Sequence, residues 1–208
     1  MKNKKLLIII PGSRAKKPFI FKKVFDRLYK HFGLENRHDG WAIELKKHIE
    51  SKSDMEVRTF GWSRGITKIF SLNPAIKKLT KLLRNTQVEY NEIILFGKSF
   101  GGLIAQEAIK KFGCQKFHLI YIATPHKNKE IQLPQVLSVT NIYSKNDDFQ
   151  KLANRLFYFG FGFKKIKNVQ NISLPNIKHS DFNNNIEIFY KGKQTALFDF
   201  YTDIILTR

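Results

Sequence analysis

Ser99 stands in Gly97-Lys98-Ser99-Phe100-Gly101, a Gly-x-Ser-x-Gly spacing that suits one kind of chemistry. A serine hydroxyl works as a nucleophile when a sharp strand-to-helix turn lifts it clear of the backbone. Such a turn leaves no room for side chains two residues before and two residues after. The helix that follows aims its first N–H groups at an oxyanion forming beside the serine. Both elements are present in the flanking sequence. Ile93-Ile94-Leu95-Phe96 is a buried-strand run, and 101–112 reads as a helix with Leu103, Ile104, Ala105 and Ala108 inward. The same residues invite a phosphate-binding reading, because Gly97-Lys98-Ser99 matches the end of G-x-x-x-x-G-K-[ST]. That loop needs a glycine where Glu92 stands, and the residues between are strand core, so the reading is rejected.

A nucleophilic serine needs a base within hydrogen-bond reach and a carboxylate that fixes the tautomer of that base. The stretch from Val139 to Asp148 is a strand running into a polar turn that carries Asp147 and Asp148. An acid at the C-terminal end of a strand shares a sheet edge with Ser99. Asp147 is the first candidate and Asp148 the fallback. Either also suits a helix N-cap, and one can be the acid while its neighbour caps. His179 lies in a loop after the last strand of the pattern. It alone of the six histidines follows both the serine and a candidate acid, the order nucleophile, acid, histidine. His31, His38 and His48 precede Ser99, His118 opens a strand, and His126 precedes the acid.

The elements that must position these residues alternate along the chain. Strands are predicted at 6–10, 56–60, 93–96, 117–122, 136–143 and 169–174. Helices are predicted at 41–51, with Trp41, Ile43, Leu45 and Ile49 apolar, at 74–83, at 101–112, at 147–156 and at 197–206. Ser71 or Asn73 could cap the helix at 74–83, whose outer face carries Lys77, Lys78, Lys81 and Arg84. A basic, aromatic segment at 17–32 reads as partly helical. Strands alternating with helices imply an α/β fold: a three-layer domain spanning 1–208, with a mostly parallel sheet of about six strands and helices on both faces. The stretch from His126 to Val136 leaves little room for an inserted cap.

Composition sets the outer bounds. The chain has 208 residues, 42% of them hydrophobic, which suits a folded protein rather than a disordered one. Its net charge of +20 would attract an anionic membrane, an acidic substrate or nucleic acid. The lysines are dispersed, however, and no run marks a dedicated basic tract, so solvated faces account for them and nucleic acid is not the expected partner. One cysteine, Cys114, excludes an intrachain disulfide and reads as a buried structural thiol. The apolar run 6–10 is too short for a signal peptide, and no run reaches membrane-spanning length. The expectation is a cytoplasmic protein with no metal or cofactor. The aromatic, glycine-interrupted stretch 156–163, with Phe159 and Phe161, reads equally as a flap over an acyl chain and as core packing.

Taken together, these residues resemble the α/β-hydrolase superfamily over nearly the whole length, and within it the lipase- and esterase-like members. Pro11-Gly12-Ser13 after the first strand looks like the oxyanion loop of lipases, Trp62-Ser63-Arg64-Gly65 resembles a Trp-Ser-Gly segment of such enzymes, and Ala123-Thr124-Pro125-His126 is similar to their Thr-Pro-His segment. The resemblance implies the α/β-hydrolase fold and cleavage of a small-molecule or lipid carboxylic ester through an acyl-enzyme. It casts Ser99, His179 and Asp147 as the triad. The backbone N–H groups of Ser13 (or Arg14) and Phe100 would form the oxyanion hole, and His126 becomes a structural or pocket residue. Lys98 replaces the histidine common before the serine, Pro11 replaces the histidine of the oxyanion loop, and Asn128 stands where a glycine often follows Thr-Pro-His. Lys98 either attracts an anionic substrate or points to solvent. A thioesterase or peptidase using the same triad, and a catalytically silent binding protein using its basic surface, remain as alternatives.

Overall fold

The computed structural model describes residues 4–12, 40–62, 72–113, 116–126, 130–151 and 164–208. The expectations for Ser13, Arg14, the segment 17–32, Cys114, Asn128, Phe159 and Phe161 lie outside them. Six strands form one parallel sheet in the order β2-β1-β3-β4-β5-β6. They are β1 (Lys5–Ile10), β2 (Glu56–Thr59), β3 (Glu92–Lys98), β4 (Phe117–Ile122), β5 (Val136–Tyr143) and β6 (Gln170–Ser173). β1, β3 and β4 are continuous branched and aromatic runs because both of their faces are covered, which forbids a polar alternation.

Period-two geometry divides these strands between two cores. Leu7, Ile9, Ile94, Phe96, Ile120 and Ile122 face one way, against α1 (Trp41–Glu50) and the C-terminal helix α4 (Leu197–Leu206). Leu6, Ile8, Ile10, Ile93, Leu95, Leu119 and Tyr121 face the other, against α2 (Asn73–Thr86) and α3 (Phe100–Ile109). The result is the expected three-layer α/β arrangement.

Three local expectations are corrected. On α1 the inward residues are Trp41, Ala42, Leu45 and Ile49, and Ile43 is 54% exposed. At about 100° per residue, Ile43 falls on the opposite side of the helix from Trp41. On α3, Leu103 is half-buried rather than inward. The N-cap of α2 is Leu72, with no side-chain cap bond, so Asn73 opens the helix instead of capping it and Pro74 sits in the first turn. A two-strand antiparallel hairpin, β7 (Glu187–Tyr190) and β8 (Lys193–Ala196), was not anticipated from the pattern.

Register aligns the strand ends. Ile10 pairs with Gly97, Lys98 with Ile122, Ile122 with Ile142, and Tyr143 with Ser173. The residues just past β1, β3, β4, β5 and β6 therefore gather along one edge of the sheet, where parallel α/β sheets present their sites.

Candidate active site

Ser99 is the hinge between β3 and α3. Its φ of 51° and ψ of −126° place a non-glycine residue in a sparsely populated region, a strain of about 1–3 kcal/mol that the surroundings must hold. They hold it by close packing. A Cβ on Gly97 would lie 2.6 Å from Gly102 Cα, and one on Gly101 would lie 2.2 Å from the Ile10 carbonyl oxygen. The glycines of the Gly-x-Ser-x-Gly spacing are thus needed for close backbone approach. Ser99 N–H donates to the Ile122 carbonyl at 2.8 Å and anchors the turn to β4. Gly12, after β1, lies against the serine: a Cβ there would come within 3.3 Å of Ser99 Cβ and 3.9 Å of Ser99 Oγ. Phe100 opens α3, so its N–H belongs to the first turn, where the helix itself supplies no acceptor.

Asp147 and His179 meet 2.8 Å apart, Oδ2 to Nδ1, with Asp147 wholly buried and His179 buried. The other Asp147 oxygen accepts the backbone N–H of Gln150 at 2.7 Å, which caps the helical turn that starts at 148. Histidine partner and cap are therefore one residue, using its two oxygens. Asp148 is exposed and paired with Lys151 at 2.6 Å. Burial pushes the Asp147 carboxyl up, but the His179 charge and hydrogen bond, the Gln150 N–H and the Lys164 charge outweigh it, and its pKa ends below the ordinary value. An ionised carboxylate only accepts, so Nδ1 of His179 is the donor in this hydrogen bond. The Phe149 ring packs on His179 at 4.5 Å between centroids.

The loops around this pair are tied together by groups that sequence reasoning assigned no role. Lys164 Nζ donates to the carbonyls of Ser144 at 2.7 Å and Asp147 at 2.8 Å and closes the turn before the acid. Asn146 Nδ2 donates to Asn176 Oδ1 at 3.1 Å and joins the acid turn to the histidine loop. Asn176 has a φ of 54°, a left-handed conformation that asparagine tolerates and that turns the chain toward His179. Thr124 bridges elbow and acid. Its hydroxyl donates to the Gly97 carbonyl at 3.3 Å, and its own carbonyl accepts Gln150 Nε2 at 2.6 Å. The Pro-Asn dipeptide is a turn signal that could have marked Asn176. Nothing in the sequence pattern points to Lys164 or Gln150.

Two expected pocket residues are placed more sharply. Lys98 is only 4% exposed, so the solvent-pointing alternative falls. His126 is buried, its Nε2 3.3 Å from Asn141 Oδ1 and its ring edge-on to Tyr121. Burial, only partly offset by the Asn141 bond, brings its pKa down to about 4, so it is neutral at ordinary pH. Ser99 stands on the same sheet edge as the Asp147–His179 pair, and among the described residues no hydrogen bond joins its hydroxyl to His179. Among those residues, too, no cluster of three His, Cys, Asp or Glu side chains is placed to hold a metal, and no helix is long and apolar enough to cross a membrane.

A six-stranded parallel sheet covered on both faces, with a strained serine turn and a buried acid–histidine pair on its C-terminal edge, is the architecture of the α/β-hydrolase superfamily. Two solved structures match it over nearly the whole chain. One is a Xanthomonas campestris pv. campestris protein classed as a hydrolase of the alpha/beta superfamily, with a TM-score of 0.52, 8% identity and 99% of each chain covered. The other is a Thermoplasma acidophilum protein classed as a CIB-like hydrolase, with a TM-score of 0.52, 12% identity, 99% of this chain and 86% of that one. A search of curated proteins finds no match. The family model of the PGAP1-like alpha/beta domain matches residues 66–186, and the chain belongs to that family. Ser99, Asp147 and His179 all fall within the matched span.

Proposed function

We propose that the chain is a serine hydrolase that cleaves a carboxylic ester, from a small molecule or a lipid, through an acyl-enzyme. The observation that supports the reading is the buried Asp147–His179 hydrogen bond, with a strained serine elbow at the same edge of the sheet. His179 Nε2 takes the Ser99 proton as Oγ attacks the ester carbonyl carbon. Asp147 balances the imidazolium from the Nδ1 side. The Phe100 N–H, with that of Ser13, binds the tetrahedral oxyanion. His179 then hands its proton to the leaving alkoxide, and in the second half it deprotonates the water that attacks the acyl-enzyme. The hydrogen bond from Ser99 to His179 closes when substrate is bound, as catalytic contacts that are open without substrate commonly do.

The test is labelling with a fluorophosphonate together with hydrolysis of p-nitrophenyl acetate. The expected result is a label on Ser99 and turnover, with both lost in Ser99→Ala while the thermal melt is unchanged. Equal turnover in Ser99→Ala refutes the assignment. Salt-sensitive binding of DNA or anionic vesicles by a chain without esterase activity would return the binding-protein reading.

A further inference from the structure

Among the described helices, charge is divided unequally between the two faces of the sheet. On one face α2 carries Lys77, Lys78, Lys81 and Arg84, all exposed, and contains no acidic residue. Lys77, Lys81 and Arg84 stand at i, i+4 and i+7, one line about 10 Å long, while Ala75, Ile76, Leu79 and Leu83 turn inward. Among the described residues no carboxylate pairs with these three cations. The opposite face is compensated. There α1 and α4 carry Glu44, Glu50, Asp199 and Asp203; Lys46 pairs with Glu50 at 3.4 Å, and Lys52 pairs with Asp199. Like charges one turn apart on α2 repel one another, and an anionic surface laid along the row removes that repulsion.

We infer that the outer face of α2 is a docking surface for an anionic lipid bilayer. Charge complementarity carries the inference. A straight, uncompensated row of cations fits a plane of anionic headgroups and gains roughly fivefold in partitioning per basic residue. Val88 follows Arg84 by four residues, in the turn that ends α2, and is 86% exposed. An apolar side chain there gains by entering the headgroup layer and gains nothing against the phosphates of a nucleic acid. Nor does this face offer a ring for a base to stack on: Phe189, the exposed aromatic among the described residues, lies on β7, whose Ile188 belongs to the opposite core. Lys78 Nζ donates to the Gly61 carbonyl at 2.9 Å, just past β2, so the basic face begins at the sheet edge that holds Ser99. The docking face does not depend on the reading of Ser99 as a nucleophile.

The test is co-sedimentation with vesicles of phosphatidylcholine alone and of phosphatidylcholine with about a third phosphatidylserine. The wild type is expected on the anionic vesicles only, with binding that weakens as salt is raised. Lys77→Ala, Lys81→Ala and Arg84→Ala combined should lower partitioning by about 100-fold. The matched control combines Lys46→Ala, Lys47→Ala and Lys52→Ala. It removes the same net charge from the opposite face and should stay within about threefold of wild type. Alanine is the best helix former, so α2 should persist, and a thermal melt checks it. Lys81→Ala alone, with an expected loss of about fivefold, keeps the test decisive if the triple variant does not fold. Equal losses in the two triple variants would make net charge rather than this face the cause, and would overturn the inference. So would failure of the wild type to bind anionic vesicles, equal binding to neutral ones, or displacement from vesicles by a short DNA duplex at equal phosphate concentration. Ser99→Ala should bind the vesicles as the wild type does, so the docking face and the Ser99 reading stand or fall separately.

Discussion

Asp147→Asn separates the carboxylate's role from its packing. Asn is isosteric, and its carbonyl oxygen must take the position of Oδ1, where the Gln150 N–H arrives at 2.7 Å, because two donors cannot face each other in a buried turn. The amide nitrogen then replaces Oδ2, 2.8 Å from His179 Nδ1. A donor there requires Nδ1 to present its lone pair, so the imidazole proton moves to Nε2, the nitrogen that must accept from Ser99. The base is lost through its tautomer while both hydrogen bonds persist. The expected fall in kcat/KM for p-nitrophenyl acetate is roughly 10³–10⁴-fold, about 4–5.5 kcal/mol of transition-state stabilisation, with a melt close to that of wild type. Asp148→Asn is the control. It removes only an exposed pair with Lys151, worth about 0–1 kcal/mol, and should leave kcat/KM within about twofold. If Asp147→Asn keeps a tenth of wild-type activity, or Asp148→Asn falls as far, the assignment of acid and tautomer is wrong.

Other tests bear on the scaffold. His126 has a folded pKa of about 4, below the unfolded value of about 6.5, so the unfolded chain binds more protons between those values. Its contribution is complete above about pH 6.5 and declines as pH falls toward 4, by about 3 kcal/mol in all. Urea unfolding near pH 7.5 and pH 4.5 should show a smaller difference in His126→Phe, and an equal difference refutes the mechanism. Gly101→Ala drives a Cβ to 2.2 Å from the Ile10 carbonyl oxygen and should destabilise by about 2–3 kcal/mol, read by thermal melting. Gly113→Ala meets nothing within 4 Å and should be neutral or slightly stabilising. Equal melts for the two variants would remove the close-packing account of the elbow.

The strands at 117–122 and 136–143 and the closing helix at 197–206 were legible to the residue. Long apolar runs leave a buried strand little alternative, and the amphipathic pattern of α4 has one period. The hairpin of β7 and β8 was not legible, because four-residue strands with exposed polar positions carry almost no periodic signal. Its turn did leave a trace in Lys191-Gly192, where both residues adopt positive φ, as two-residue hairpin loops demand. The misplaced Ile43 shows how a list of apolar residues misleads when their angular positions are not counted.

The sequence by itself determined the local setting of the proposed nucleophile: a serine between glycines, with a strand before it and a helix after it. These are contacts within one short stretch of chain. Only the tertiary structure decided that Asp147 serves as both cap and histidine partner, that Lys98 is buried, and that Thr124, Gln150, Asn146 and Asn176 hold the loops together. Those choices depend on which atoms of remote loops arrive within about 3 Å of one another. That is set by strand register and packing, which no local spacing encodes.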